Sequence, residues 1–275
     1  VVLLALGQAD EVFNGYRCVV TEQVDNDITV VGVHRCSCGL LSHASHCMEI
    51  STNALFRRDA VSDLRRVTSM IRAILFDLDD TLMDHTAAMH AAVEEWLPGR
   101  HHERFAEIER KWFAAYERGE VTHQGQRVER CREFLGRPEM TEQEALAEYA
   151  KYLAAYEKHW CAVDGAEDVL QHVLDLGLIV GVLTNGAREM QEGKLRAGGL
   201  DLPGVELFPT VEMGHPKPHR EAYLEACRRL EVEPGSTLMI GDSVANDVEG
   251  ARAAGLKALH FDRAGNGDIA ALSEL

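Results

Sequence analysis

The chain has 275 residues, 46% hydrophobic and 27% charged, enough to bury a sizeable core as one large domain or as a core with an inserted subdomain. Its formal charge of −17 argues against nucleic acid or an anionic membrane as partner, because neither gains counterion release from an acidic protein. No apolar run approaches the length needed to cross a bilayer.

Residues 1–69 differ in character from the remainder of the chain. They contain no lysine, hold four of the seven cysteines (Cys18, Cys36, Cys38, Cys47) and show little sustained periodicity. Met70 stands immediately before the first strong strand pattern. The expectation is that Met70 is the natural start and that residues 1–69 are an N-terminal extension, disordered or not native. Val1–Ala9 ends in a small-x-small pattern (Gly7, Ala9) but lacks a basic stretch, so it does not read as a secretory signal. His34, Cys36, Cys38, His43, His46 and Cys47 do not match structural zinc spacings and read as incidental clustering. Seven scattered cysteines, an odd number, fit reduced thiols in a cytoplasm.

The stretch Ile71–Leu82 organises the rest. Ile74, Leu75, Phe76 and Leu78 predict a strand buried on both faces, as in the middle of a parallel sheet. It ends in Asp77, Asp79 and Asp80, and ligands of open α/β sheets collect at such carboxyl ends. Side chains two apart on a strand share a face, so Asp77 and Asp79 can address one site. Crowded carboxylates repel unless a cation joins them, and hard oxygen ligands suit Mg²⁺.

From Asp84 to Trp160 alanine, glutamate, arginine and aromatic residues recur at helical spacing, punctuated at Pro98-Gly99, Gly119, Gly136 and Pro138. The pattern predicts four helices packed as a small bundle, with the aromatic residues as its core. Thr141 and Glu144 have capping-box spacing. Most basic residues of this stretch are expected on solvated faces paired with glutamates. Arg127 and Arg130, after a break at Gly125, are the two expected to face a cleft and meet a leaving group.

Asp164–Leu176 predicts an amphipathic helix stopped by Gly177. The apolar run Leu178–Leu183 ends in Thr184, Asn185 and Gly186, and Arg188–Ala197 resumes helical character. Leu207–Val211 is a shorter apolar run. Gly214-His215-Pro216-Lys217-Pro218 presents one lysine in a rigid turn before the helical pattern Glu221–Leu230. Thr237–Ile240 runs into Gly241-Asp242, followed by Ser243, Asn246 and Asp247. Val248–Ala254 and Lys257–Phe261 complete the alternation, which predicts a Rossmann-like α/β core, a parallel sheet with helices on both faces, carrying an all-helical insert.

Asp77-x-Asp79, Thr184-Asn185-Gly186, Lys217 and Gly241-Asp242, in this order, resemble the four motifs of the haloacid dehalogenase-like (HAD) hydrolase superfamily. The resemblance spans about Met70 to Arg263. It implies a core formed by residues 70–83 and 161–275, with residues 84–160 as the helical cap found in a phosphatase branch. It further implies that Asp77 is the nucleophile, forming an aspartyl-phosphate, and that Asp79 is the general acid and base. Thr184, with the backbone near Asn185 and Gly186, would bind the phosphoryl oxygens, and Lys217 would neutralise their charge. Mg²⁺ would be held by the Asp77 carboxylate, the Asp79 backbone carbonyl and Asp242, with Asp247 acting on metal-bound water or on Lys217.

The function implied is Mg²⁺-dependent hydrolysis of a small phosphorylated metabolite, a nucleotide or sugar phosphate, by a cytoplasmic monomer or homodimer. A phosphomutase and a non-catalytic binding protein on the same scaffold are the alternatives. Asp79 speaks against the dehalogenases of the superfamily, which lack an acid there. Asp84, His85 and Thr86 offer no lysine for a phosphonatase Schiff base. One departure stands out: His219-Arg220 replace the Asp-Pro of many relatives, which leaves the cap of the following helix open. A chain shortened to begin at Met70 is expected to match the full chain in turnover and to melt within a few degrees of it. A fall of about ten degrees would mark a domain-sized loss.

Overall fold

In the computed structural model, which describes residues 16–24, 27–36, 71–99 and 101–275, the run Ala73–Phe76 forms the strand β3, buried at all four positions. It lies at the centre of a five-stranded parallel sheet of order β5-β4-β3-β6-β7, with β4 (Ile179–Thr184), β5 (Val205–Pro209), β6 (Thr237–Gly241) and β7 (Lys257–His260). Chain order reverses at β3, so its carboxyl end opens at a switch point of the sheet, where a crevice is unavoidable. Period-two alternation divides the strand between two apolar layers. Ile74 and Phe76 pack with Val169, Leu170 and Val173, whereas Ala73 and Leu75 pack with Ala222, Tyr223 and Ala226.

Between β3 and α5 (Ala166–Asp175) lie four helices: α1 (His85–Trp96), α2 (His102–Glu117), α3 (His123–Leu135) and α4 (Glu142–Lys158). They share a separate core that includes Phe105, Val128, Cys131, Phe134, Tyr149 and Tyr152. The Trp96 ring packs 5.4 Å from Phe134 and 5.7 Å from Tyr152, so the aromatic residues do form the bundle interior. The capping box is present: Thr141 Oγ1 accepts from Glu144 N at 3.2 Å, and Glu144 Oε2 accepts from Thr141 N at 2.8 Å. Gly125, expected as a break, instead lies inside α3. Thr122 is the N-cap, its Oγ1 accepting from Gly125 N at 2.9 Å. The glycine sits where a free N–H seeks a cap, so it starts the helix without interrupting it.

The insert leaves and rejoins the core side by side. Asp84 N donates to Cys161 O at 2.9 Å and Val163 N to Leu82 O at 2.9 Å. At its start Asp80 turns the chain with a φ of 60°, a conformation aspartate tolerates better than most residues. Its carboxylate accepts from Thr86 N at 2.8 Å and Thr86 Oγ1 at 2.7 Å, so the third acid of the opening motif is a turn device.

Downstream, α6 (Arg188–Ala197), α7 (Thr210–Met213), α8 (Arg220–Arg229) and α9 (Gly250–Ala254) alternate with the strands. The run expected over Leu207–Val211 is strand only to Pro209 and helical from Thr210. The helix expected over Val248–Ala254 begins earlier, as a π-wound turn over Val244–Glu249.

Within the expected extension, β1 (Tyr16–Val24) and β2 (Asp27–Cys36) pair antiparallel, from Tyr16 opposite Cys36 to Val24 opposite Asp27. The sequence shows no strict alternation there because its valines come as doublets, Val19-Val20 and Val30-Val31. This hairpin falls in one unit and residues 71–275 in another. The rest of the expected extension, including Cys38, His43, His46 and Cys47 of the cysteine–histidine cluster, lies outside the described residues, as does Met70, the expected start. Among the described residues no helix is long and apolar enough to cross a membrane.

Leu75→Ala should destabilise the protein by about 2–5 kcal/mol, because Leu75 is fully buried in the central strand. Thr141→Ala should cost only about 1 kcal/mol, the worth of one exposed cap. Denaturant unfolding that ranked the two the other way would place the main core elsewhere.

Candidate active site

The carboxyl ends of β3, β4 and β6 converge on one cleft of about 420 Å³, whose other wall comes from the helical insert. At its floor Lys217 is 2% exposed and bridges two carboxylates. Its Nζ donates to Asp77 Oδ1 at 2.7 Å and to Asp247 Oδ1 at 2.6 Å. Burial works against a charged lysine, but Asp247 and Asp77 overcome it and raise its basicity, so Lys217 is a cation at any working pH. Asn185 holds the lysine's own backbone: its Oδ1 accepts from Lys217 N at 2.7 Å and its Nδ2 donates to Lys217 O at 2.8 Å. Gly241 makes room for this arrangement, since a Cβ there would stand 2.3 Å from Asp247 Cγ.

Oxygens of Asp77, Asp242 and Asp247 lie within 4.8 Å of one another. Lys217 cannot neutralise all three. Burial pushes the Asp77 carboxyl well up, with Asp247 and Asp242 adding to the rise and Lys217 opposing it. Asp242 is pushed up to about 7, by burial and by the charges of Asp247 and Asp80. An all-oxygen, like-charged cluster of this kind fits a hard divalent cation such as Mg²⁺.

The Asp79 side chain points away from that cluster. Lys194 Nζ donates to its Oδ1 at 2.5 Å and Gln191 Nε2 to its Oδ2 at 3.2 Å. Burial would raise this carboxyl, but Lys194 and His85 together with the hydrogen bonds hold it below the usual range. Gln191 Nε2 also donates to Thr184 Oγ1 at 2.6 Å. One side chain therefore ties Thr184 and Asp79 into a single frame. Gly186 permits this, because a Cβ there would sit 2.5 Å from Gln191 Nε2.

The structure thus brings all the sequence-predicted residues to one cleft: Asp77, Asp79, Thr184, Asn185, Gly186, Lys217, Asp242 and Asp247. Asp247 is fully buried on Lys217, and its Oδ2 also accepts from Ser243 N at 3.0 Å. Sequence reasoning missed Gln191 and Lys194. Their spacing, three apart on a short helix directly after Thr184-Asn185-Gly186, was the available signal.

The two arginines expected to face the cleft both line it, but they differ in their partners. Arg130 is engaged, donating to Glu109 Oε1 at 2.5 Å and to Tyr149 Oη at 3.2 Å. Glu109 is shared with His85, whose Nε2 lies 3.1 Å from Glu109 Oε2 and whose Nδ1 lies 2.6 Å from Tyr156 Oη. Among the described residues Arg127 has no such carboxylate partner. Most other basic residues of the insert are surface-paired as expected, for example Lys111 with Glu133 at 2.7 Å and Arg132 with Glu129 at 2.6 Å.

At the end of α2, Glu117 Oε1 accepts from Asn185 Nδ2 at 3.1 Å and from Asn246 Nδ2 at 2.7 Å, which fastens the insert to the core. His219 accounts for the missing helix cap. Its side chain does not cap α8; its Nε2 donates instead to Glu117 O at 2.9 Å.

A Rossmann-like sheet whose central strand ends in a carboxylate, a four-helix insert and an acidic, lysine-bridged cleft together point to a hydrolase class. The haloacid dehalogenase-like hydrolase family matches residues 71–255, and the chain belongs to that family. Over 196 residues it is 29% identical to the HAD-hydrolase YfnB of Bacillus subtilis, covering 67% of this chain and 81% of the relative. The solved, magnesium-bound structure of YfnB superposes with a TM-score of 0.64 at 26% identity, covering 72% of this chain and 92% of that one. The N-acetylmuramic acid 6-phosphate phosphatase of Pseudomonas aeruginosa is 31% identical over 192 residues, 68% of this chain and 80% of the relative. The L-2-haloacid dehalogenase of Xanthobacter autotrophicus, at 23% identity and a TM-score of 0.60 over 70% of this chain and 78% of its own, shares the fold.

The buried charges make stability depend on pH. For His85, burial opposes protonation but Glu109 prevails, raising it from 6.5 to about 9. Its contribution is complete below 6.5 and is lost as pH rises toward 9. Asp242, raised from 3.8 to about 7, acts in the same direction, because the native state keeps a proton that the unfolded chain has released. Glu109, held down at about 2 by Arg130 and His85 against its burial, contributes above 4.5 and loses that contribution only toward 2. His123, drawn down from 6.5 to about 4 by burial, works the other way below pH 6.5, so the metal-free melting temperature should fall between about pH 6.5 and about pH 9. His85→Gln should flatten the portion above pH 6.5; an unchanged slope there would assign it to another group.

Proposed function

We propose that the chain hydrolyses phosphomonoesters through an aspartyl-phosphate on Asp77. The observation that carries this reading is the Asp77 carboxylate at the carboxyl end of the central strand, 2.7 Å from a buried lysine, with a second acid two residues on. Lys217 sets the orientation of Asp77 and offsets the charge that gathers as phosphorus is attacked. Thr184, its hydroxyl fixed by Gln191, holds the phosphoryl oxygens beside it. Asp79, held as a carboxylate by Lys194, must take up a proton as the substrate binds; it then gives that proton to the departing oxygen and regains one from the water that opens the acyl phosphate. Lys194 and Gln191 keep its carboxylate aimed along the cleft wall. The carboxylates of Asp77 and Asp242 and the backbone carbonyl of Asp79 would hold Mg²⁺. When bound, it neutralises phosphoryl charge.

The helical insert acts as a cap that meets the leaving group. Small phosphorylated metabolites, sugar phosphates among them, suit a cleft of about 420 Å³, and the likeness to an N-acetylmuramic acid 6-phosphate phosphatase points the same way. Asp79 supports hydrolysis of phosphate esters over dehalogenation, since a halide leaving group needs no proton.

The test is a panel of phosphomonoesters with Mg²⁺, repeated in excess chelator and with two variants. Turnover should require the metal, and Asp77→Asn should lose about a thousandfold or more while keeping its circular dichroism spectrum. Asp79→Asn should slow turnover while sparing Mg²⁺ affinity. Retention of more than about one per cent of activity by Asp77→Asn would remove it as nucleophile.

A further inference from the structure

In a protein of formal charge −17, the insert's wall of the cleft carries the opposite sign. Arg110, Arg127, Arg130 and His85 line it with Glu109 as their counter-charge, and Glu109 is taken up by Arg130 at 2.5 Å and His85 at 3.1 Å. Arg127 is half-buried on α3, one turn before Arg130, yet makes no ion pair among the described residues. Its Nη2 lies 3.9 Å from Met190 Sδ across the seam with the core. Burial draws its basicity down, with the charge of Arg130 acting in the same sense, so the position lacks an anion.

Two neighbours are also incomplete. Gln126 is 2% exposed and lines the cleft, and its Oε1 has no hydrogen-bond partner among the described residues. Arg130 is 5% exposed, and its Nε is likewise without one. Buried polar atoms are rarely left unmatched. An acceptor satisfies the arginine N–H, and a hydroxyl satisfies either end of the glutamine amide. The three residues therefore ask for one negative group and at least one hydroxyl.

We propose that Arg127, Gln126 and Arg130 form a subsite for an acidic, hydroxylated leaving group. The substrate is then a phosphomonoester whose carbon chain carries hydroxyls and a second anionic group, a carboxylate or another phosphate. This deepens the phosphatase reading and rests on it for the position of the transferred phosphate. The reactive end sits among Asp77, Thr184 and Lys217, and the second charge faces the insert, where the protein has spare cations. Neutral-ended esters would leave Arg127 partly buried and unpaired.

The experiment compares kcat/KM for gluconate 6-phosphate against glucitol 6-phosphate, and for fructose 1,6-bisphosphate against fructose 6-phosphate, with Mg²⁺. In the wild type at least one acidic member should be favoured by about 10- to 100-fold, the range of a charge-assisted hydrogen bond. The favoured pair tells whether the subsite takes a carboxylate or a phosphate. Arg127→Met should bring that ratio close to one, and Arg127→Lys should restore part of it, with melting temperatures confirming that both fold. Wild-type ratios near one, or a preference that survives Arg127→Met, would overturn the proposal. If no phosphomonoester is turned over, the phosphatase reading falls on its own. Calorimetric binding of the same four compounds then decides the subsite: equal affinities within each pair, or a preference untouched by Arg127→Met, would overturn it.

Discussion

A lysine with almost no solvent access can remain charged only if its charge is matched on the spot, and Lys217 meets that condition through Asp77 and Asp247. Much else in the core depends on that requirement. Asp77 must leave β3 level with the end of β6, which the hydrogen bond from Asp77 N to Ile240 O at 2.8 Å secures. Asp247 must fold back over β6, which is possible because Gly241 has no side chain in the way. The loop that carries the lysine must not drift, and Asn185 holds it by both of its backbone polar groups while Thr210 Oγ1 donates to Asn185 Oδ1 at 3.0 Å. Three strand ends and a loop are thereby brought to one place around a single buried cation.

The two walls of the cleft solve different electrostatic problems. The core wall concentrates carboxylates, and its residual negative charge is an invitation to a divalent cation. The insert wall holds arginines and a charged histidine around one glutamate. A substrate with a negative charge at each end would find a match on both walls once the core is metallated. Under the proposed function, that arrangement would let an acidic protein take an acidic ligand without depending on its overall field.

What the sequence made legible, and what it did not, separates by the kind of packing involved. Apolar strand runs that end in Asp77, Thr184 and Asp242 announce both the sheet and the site, because a polar residue at the end of a buried strand has few other reasons to be there. Lys217 was legible through its turn. Gln191 and Lys194 were not, since polar residues on a helix read as solvated until the neighbouring strand is known to lie against them. Arg127 and Arg130 look alike in sequence. They differ because the partner of Arg130, Glu109, comes from another helix, and that pairing is set by how α2 and α3 pack. The hairpin of β1 and β2 was hidden by its paired valines, and Gly125 misled because a glycine near a helix start resembles a glycine that ends one.

The side-by-side attachment of the insert at Asp84 and Cys161 has a mechanical meaning. Two adjacent tethers act as one axle, so the easiest displacement of the four helices is a swing that carries them as a body. Glu117, which reaches Asn185 and Asn246, and Arg127, which rests on Met190, ride on the same body. On the proposed function, entry of a ligand and release of a product would share one coordinate, along which the grip on the core and the grip on the leaving group would be won or lost together.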